Sequence, residues 1–337
     1  MLVGRRGFLG LLGVTASALA AGCGAAAPPA AAGPEGPALH TGKLTDLLPL
    51  SQLRWLVVTK PREIAQTAFL IPAIATVAPE ENLGRFTASS GLDLRQLEEA
   101  IVAAYGGEGG ESMVYVVRHR ASSEAVERLF RARITSGEHR VIERDVVRVT
   151  GKIGTTPAAL TAMGGDVACF QFGGSTARGP ARIAALYATE KLKKSPTVLS
   201  EDPLAALSTR LGGAPAKAFA IGPFEGELSR GARGLLAGAT ALGASVRPSA
   251  REGIFLVVAV AGDFTTSAEA ASLELERAWS DLAKGSFGHL LALDQPITAP
   301  IVTHAKDAVS LAVELHPDRV AKGLAEATGT RLSEIMR

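Results

Sequence analysis

Cysteine is nearly missing from this chain. Of 337 residues only Cys23 and Cys169 carry a thiol, so no disulfide framework can hold the fold and a packed core must do it. An excess of charge is missing too. Lys and Arg number 35 against 33 Asp and Glu, and Arg5 and Arg6 are the only charges ahead of Cys23, so the remainder balances 33 against 33. That balance removes the electrostatic reason to expect nucleic acid as a partner. Long apolar runs are lacking as well: the N-terminal one, Phe8 to Ala21, stops at 14 residues, short of the roughly 18 a membrane-spanning helix needs. With 47% hydrophobic and 20% charged residues, the rest has a globular composition sufficient for one or two domains.

Signatures of chemistry are also absent. The six histidines, at positions 40, 119, 139, 289, 304 and 316, are scattered, with no His-Glu-x-x-His and no grouping with cysteine, so no zinc site and no other metal or cofactor is signalled. Phe172-Gly173-Gly174-Ser175-Thr176 has glycines around a serine at the wrong spacing for a nucleophile elbow and reads as a strand-to-helix turn. Gly151-Lys152-Ile153-Gly154-Thr155-Thr156 lacks the order G-x-x-x-x-G-K-S/T of a phosphate loop and reads as the turn after a hairpin. Gly106 to Gly110 is a loop, and the carboxylate pairs Glu80-Glu81 and Glu98-Glu99 read as solvated surface. No catalytic residue is singled out.

What is present begins at the N-terminus. Arg5 and Arg6, the apolar run and the small residues up to Cys23 have the three-part layout of an export signal. Gly4-Arg5-Arg6-Gly7-Phe8-Leu9 resembles the twin-arginine export motif, and Leu19-Ala20-Ala21-Gly22-Cys23 resembles a bacterial lipobox, with Ala20 at the place where Leu is usual. The resemblance to lipoprotein signals implies cleavage before Cys23, a diacylglycerol thioether on its sulfur and an acylated amino group. Several acyl chains would give stable anchoring where one chain does not. Export, a periplasm-facing lipid anchor in the cell envelope and, from Gly24 after the cysteine, outer-membrane sorting are then expected, with the membrane as the partner. The 15 residues of Gly24 to Ala38 contain no bulky apolar side chain. They form a tether that would reach about 45 Å if polyproline-like.

The expected organisation is a signal peptide over 1–22, a lipidated cysteine and tether over 23–43, an α+β module over 44–213 and a second over 214–337, with Gly212-Gly213 as the boundary. Leu53 to Lys60 predicts a strand, and Arg62 to Val77 a helix kinked at Pro72. Asp93, with Gln96 three residues on and Leu94, Leu97 and Ile101 at helical spacing, predicts a capped helix ending at Gly106-Gly107. Met113 to Arg118 predicts a strand, Ser123 onward a helix with Val126, Leu129, Phe130 and Ile134 on one side, and Arg140 to Val149 a hairpin turning at Arg144-Asp145.

Val167 to Phe172 reads as a strand covered on both faces, with Cys169 buried rather than reactive. Pro180 to Lys193 and Pro203 to Leu211 predict helices. Ala216 to Ile221, Ala241 to Arg247, a central Ile254 to Ala261, Pro300 to His304 and Ala308 to Leu315 predict strands. Thr266 and Glu269 form a capping box for a helix ending at Gly285, in which Trp279 belongs to the core, and Pro317 opens a terminal helix whose Val320, Leu324 and Ala327 face the sheet.

Neighbouring strands joined by short turns mix here with single strand-to-helix steps, which fits an α+β fold with a largely antiparallel sheet and packing helices rather than steady βα alternation. Both halves run strand, helix, strand with a hairpin, the order two similar modules would have, although their residues do not repeat. Lys60-Pro61, Arg85-Phe86, Ser90-Gly91-Leu92-Asp93, the strand at Met113 and the Val141 to Val149 hairpin resemble uncharacterised bacterial secreted proteins, grouped only as a domain of unknown function, over Leu53 to Phe224. The function expected is binding or scaffolding by a non-enzymatic envelope lipoprotein, its protein partner or apolar ligand open. A lipid or small-ligand carrier, or a hydrolase whose residues converge only in three dimensions, are the alternatives.

Overall fold

The computed structural model describes residues 42–328 apart from 108, 193–195, 225–231 and 266. The chain divides into two compact units. One comprises residues 42–63 and Glu80–Glu201, the other Ile64–Pro79 and residues 202–328. The second unit is therefore discontinuous, and the change of unit falls between Glu201 and Asp202, ahead of the double glycine.

In the first unit seven strands, β1 (Leu53–Thr59), β2 (Glu99–Tyr105), β3 (Ser112–Arg118), β4 (Ser136–Glu143), β5 (Val146–Ile153), β6 (Thr156–Met163) and β7 (Val167–Gly173), run in the order β1-β2-β3-β7-β6-β5-β4, each neighbouring pair antiparallel. Alternation gives the sheet two apolar faces. Val149, Ala158, Leu160 and Ala168 lie on one, under Val126 and Phe130 of the Ser123–Ala132 helix; the Phe130 ring sits 6.0 Å from that of Phe170. Each large side chain buried this way contributes about 1.5–3 kcal/mol. On the other face Cys169, Gln171, Val114 and Ile101 are fully buried. The Pro180–Ala188 helix packs on β6 and β7, and the 3-10 turn Leu44–Leu47 packs on β2 and β3.

Several expectations need correction. The capped helix from Asp93 is only a single 3-10 turn, Leu94–Gln96, with Asp93 Oδ1 accepting from Arg95 N at 2.9 Å, and Glu99–Tyr105 is strand β2. Paired on both edges, by β1 and β3, β2 needs alternating burial. Its Ile101, Ala103 and Tyr105 supply that, so pairing overrides a spacing that also suits a helix.

Pro72 does not kink a helix but stands in the first turn of a new one, Ile71–Val77, after the short Pro61–Ala65 helix and a 3-10 turn at Ala68–Leu70, a position where its missing N–H is harmless. The turn expected over Gly151 to Thr156 is confined to Gly154-Thr155. Strand β6 starts at Thr156, its alanines giving little strand signal, and its pairing with β7 begins at Ala158, beyond Pro157. The helix from Pro180 stops at Ala188, where Glu190 adopts a φ of 57°.

The second unit has five strands, β8 (Ala216–Ile221), β9 (Ala239–Pro248), β10 (Ile254–Gly262), β11 (Thr298–His304) and β12 (Ala308–Leu315), antiparallel in the order β11-β12-β10-β9-β8. β10 is central, as its apolar faces predict. Leu242, Val246, Leu256, Val260 and Val313 form a core with Leu275 of the Ala268–Lys284 helix and Leu324 of the Pro317–Thr328 helix, and Trp279 packs against it. Across the sheet, Gly243 admits the Leu204–Arg210 helix: a Cβ there would meet Leu211 Cδ1 at 2.9 Å. Ser267 N-caps the long helix and Gly285 C-caps it; Thr266, half of the expected capping box, lies outside the described residues. Among those residues no helix is long and apolar enough to cross a membrane. The fold is α+β with antiparallel sheet.

Candidate functional site

Cys23, Arg5 and Arg6, the sites expected for lipid attachment and export, lie outside the described residues. Among the described residues the histidines do not converge. His119 is buried, its Nδ1 3.2 Å from Ala121 O and its Nε2 without a partner. His289 pairs with Asp294 at 2.9 Å, and His304 Nδ1 is 3.1 Å from Ser272 Oγ. That serine also donates to Ala268 O at 2.9 Å, the bond of a helix residue turned on its own backbone. Among the described residues no three of His, Cys, Asp and Glu stand together as metal ligands. Cys169 is wholly buried and burial pushes its thiol up to about 12, the setting of an inert packing residue.

Of the carboxylate pairs, Glu80 and Glu81 are exposed, and Glu80 accepts from Arg95 at 2.9 Å. Glu98 is also exposed and meets Arg62 and Arg120. Glu99 is not surface. It is half-buried, and its carboxyl is raised above the usual range, first by desolvation and against the opposing bond from Leu44 N at 3.4 Å. Glu99 is the first residue of β2 and lies by Leu44, whereas Glu98 precedes the strand and faces Arg62 and Arg120.

Glu99 belongs to a polar cluster around the first described residues. Arg118, the last residue of β3, donates from Nη1 to Asp166 Oδ2 at 2.7 Å and from Nη2 to Gly42 O at 2.9 Å. Asp166 O in turn accepts from His119 N at 2.8 Å. Next to this clamp Leu44, Leu47 and Leu48 are buried to 1% exposure or less. Two backbone bonds, Leu50 N to Pro196 O at 2.9 Å and Val198 N to Leu48 O at 3.1 Å, continue the attachment. The segment entering the fold is therefore held by a charge pair, a carboxylate and three leucines. Burial is the largest influence on His119, lowering its proton affinity, with Ala121 O and the Asp166 charge opposing. Arg118 and Asp166 escape a sequence reading because 48 residues separate them. Their only signal is that each flanks a strand, which fixes no pairing.

These features define an α+β protein of antiparallel sheets with a clamped entry segment. In fold the chain is similar to TP0453, whose crystal form III gives a TM-score of 0.51 at 10% identity over 85% of this chain and 99% of that one. Crystal form I gives 0.48 at 9% identity over 85% and 98%. At such identity the likeness is one of fold. No family model matches the chain, and no curated protein matches it in sequence.

Proposed function

We propose that the chain is a non-enzymatic envelope lipoprotein, exported by its N-terminal signal, anchored through acylated Cys23 and acting by binding or scaffolding on the periplasmic side. The observation that carries this reading is the clamp at Gly42 and Leu44. A body tethered through Gly24 to Ala38 transmits any pull from the membrane to the residues that follow, and Gly42 and Leu44 are gripped by Arg118 and Glu99 beside buried leucines. A lipobox-like cysteine, a tether without packing side chains and a reinforced entry point follow one another in the order such a protein requires. His119, His289 and His304, each engaged with a different neighbour, favour binding over catalysis.

The test is metabolic labelling with a tagged fatty acid followed by fractionation. The wild-type chain takes up label and sediments with membranes, outer-membrane fraction foremost, and Cys23→Ala does neither. An unlabelled wild type, or equal membrane retention of Cys23→Ala, would refute the anchor.

A further inference from the structure

On the face of the first sheet that carries the Pro180–Ala188 helix, Arg148 and Arg182 form no ion pair with a carboxylate among the described residues. Arg148 of β5 is the cross-strand partner of Thr161, and the Thr161 hydroxyl donates to Ala181 O at 3.1 Å. Arg148 is thereby brought to the first turn of that helix, beside Arg182. Its Nη2 donates to Thr176 O, while its Nε is sealed from solvent and has no hydrogen-bond partner. Arg182 is half-buried, and its side chain has no hydrogen bond or ion pair among the described residues. Burial and then the Arg182 charge lower the proton affinity of Arg148, whereas a nearby acid would raise it.

The surroundings are fixed. Gln171 Nε2 donates to Gly173 O at 3.2 Å and Ser175 O at 3.1 Å, and its Oε1 accepts from Ala181 N at 3.2 Å. Gly173 has a φ of 80°, and a Cβ at Gly179 would fall 2.4 Å from Gln171 Oε1, so the turn between β7 and the helix has one conformation to adopt. The helix amides are engaged, Arg182 N and Ile183 N on Gly179 O. Arg148 Nε and the Arg182 guanidinium remain as donors without a partner among the described residues.

Two half-buried like charges repel, and an Arg fork is the donor best matched to a phosphate oxyanion. We propose that Arg148 and Arg182 together bind a phosphate group, the shared chemistry of a free phosphate and of a lipid headgroup. This site does not depend on acylation of Cys23, so the two readings fail separately.

The test uses the full chain in detergent, with thermal unfolding followed against inorganic phosphate and against sodium chloride at matched ionic strength. Wild-type protein gains a saturable rise in Tm with phosphate beyond that with chloride. Arg182→Gln weakens phosphate binding about tenfold or more yet, without phosphate, unfolds above the wild type because the repulsion is gone; Arg182→Lys binds between the two. Dihexanoyl phosphatidic acid separates the sources: binding about tenfold tighter than phosphate assigns a lipid headgroup, and equal or weaker binding a free phosphate. No phosphate-specific rise in the wild type, or an equal rise in Arg182→Gln, overturns the site.

Discussion

Arg118 and Asp166 meet at the ends of adjacent strands in a 2.7 Å ion pair whose side chains are only 17% and 11% exposed. The same guanidinium holds Gly42 O, so one residue joins the sheet's rim to the segment entering the fold. Arg118→Ala leaves Asp166 desolvated without its counter-charge. The expected loss is about 3 kcal/mol, the low end for a broken buried pair because some water reaches both groups. Urea unfolding measures it, and limited proteolysis within residues 42–48 accelerates. Unchanged stability together with unchanged cleavage would show that the leucines alone hold the segment.

His119 gives stability a dependence on pH. Burial lowers its folded-state pKa below the ordinary 6.5, so in the window below pH 6.5 the unfolded chain binds more protons than the folded one. Its contribution is complete above pH 6.5 and is lost as pH falls from there towards the folded-state value. His119→Gln flattens this part of the profile, measured as urea midpoints between pH 7.5 and 5. An identical acid slope in wild type and variant would assign the dependence to other groups.

Cys169 is inert while the protein is folded. Wholly buried, with its thiol pushed up to about 12, it offers almost no thiolate at neutral pH. In a Cys23→Ala background a thiol reagent labels it only after denaturation. Rapid stoichiometric labelling of native protein would contradict this.

Gly323 reverses an ordinary rule. In an exposed helix Gly→Ala gains about 1 kcal/mol, but a Cβ on Gly323 would lie 1.9 Å from Leu290 O, where the Pro317–Thr328 helix passes the end of the Ser286–Leu290 helix. Backbone must shift to admit it, so Gly323→Ala destabilises by about 1–3 kcal/mol, read from chemical denaturation. A stabilised variant would mean that the two helices separate freely.

Much of the fold is legible locally. Val167–Gly173 and Ile254–Gly262 are apolar enough on both faces to read as strands covered on both sides by composition alone, and Pro317 marks a helix start through a fixed φ and a missing N–H that need no partner. Arg144, an unusual residue for a hairpin turn, takes its φ of 52° between two strands whose own pattern set the turn there.

Other features were decided only in three dimensions. Glu99–Tyr105 satisfies helical spacing and strand alternation alike, and pairing with β1 and β3 settles which is used, because a strand buries its backbone polar groups only when neighbours bond them. Thr156–Met163 has weak strand propensity and is held by the strands on either side. Polar sites are less legible still. The sequence determines that Cys169 is apolar company for its neighbours and that no local motif carries catalysis. That Arg118 meets Asp166, and that Arg148 is brought to the helix turn that carries Arg182, follows from strand register and helix placement, since charges act through distance in space and the sequence records only distance along the chain.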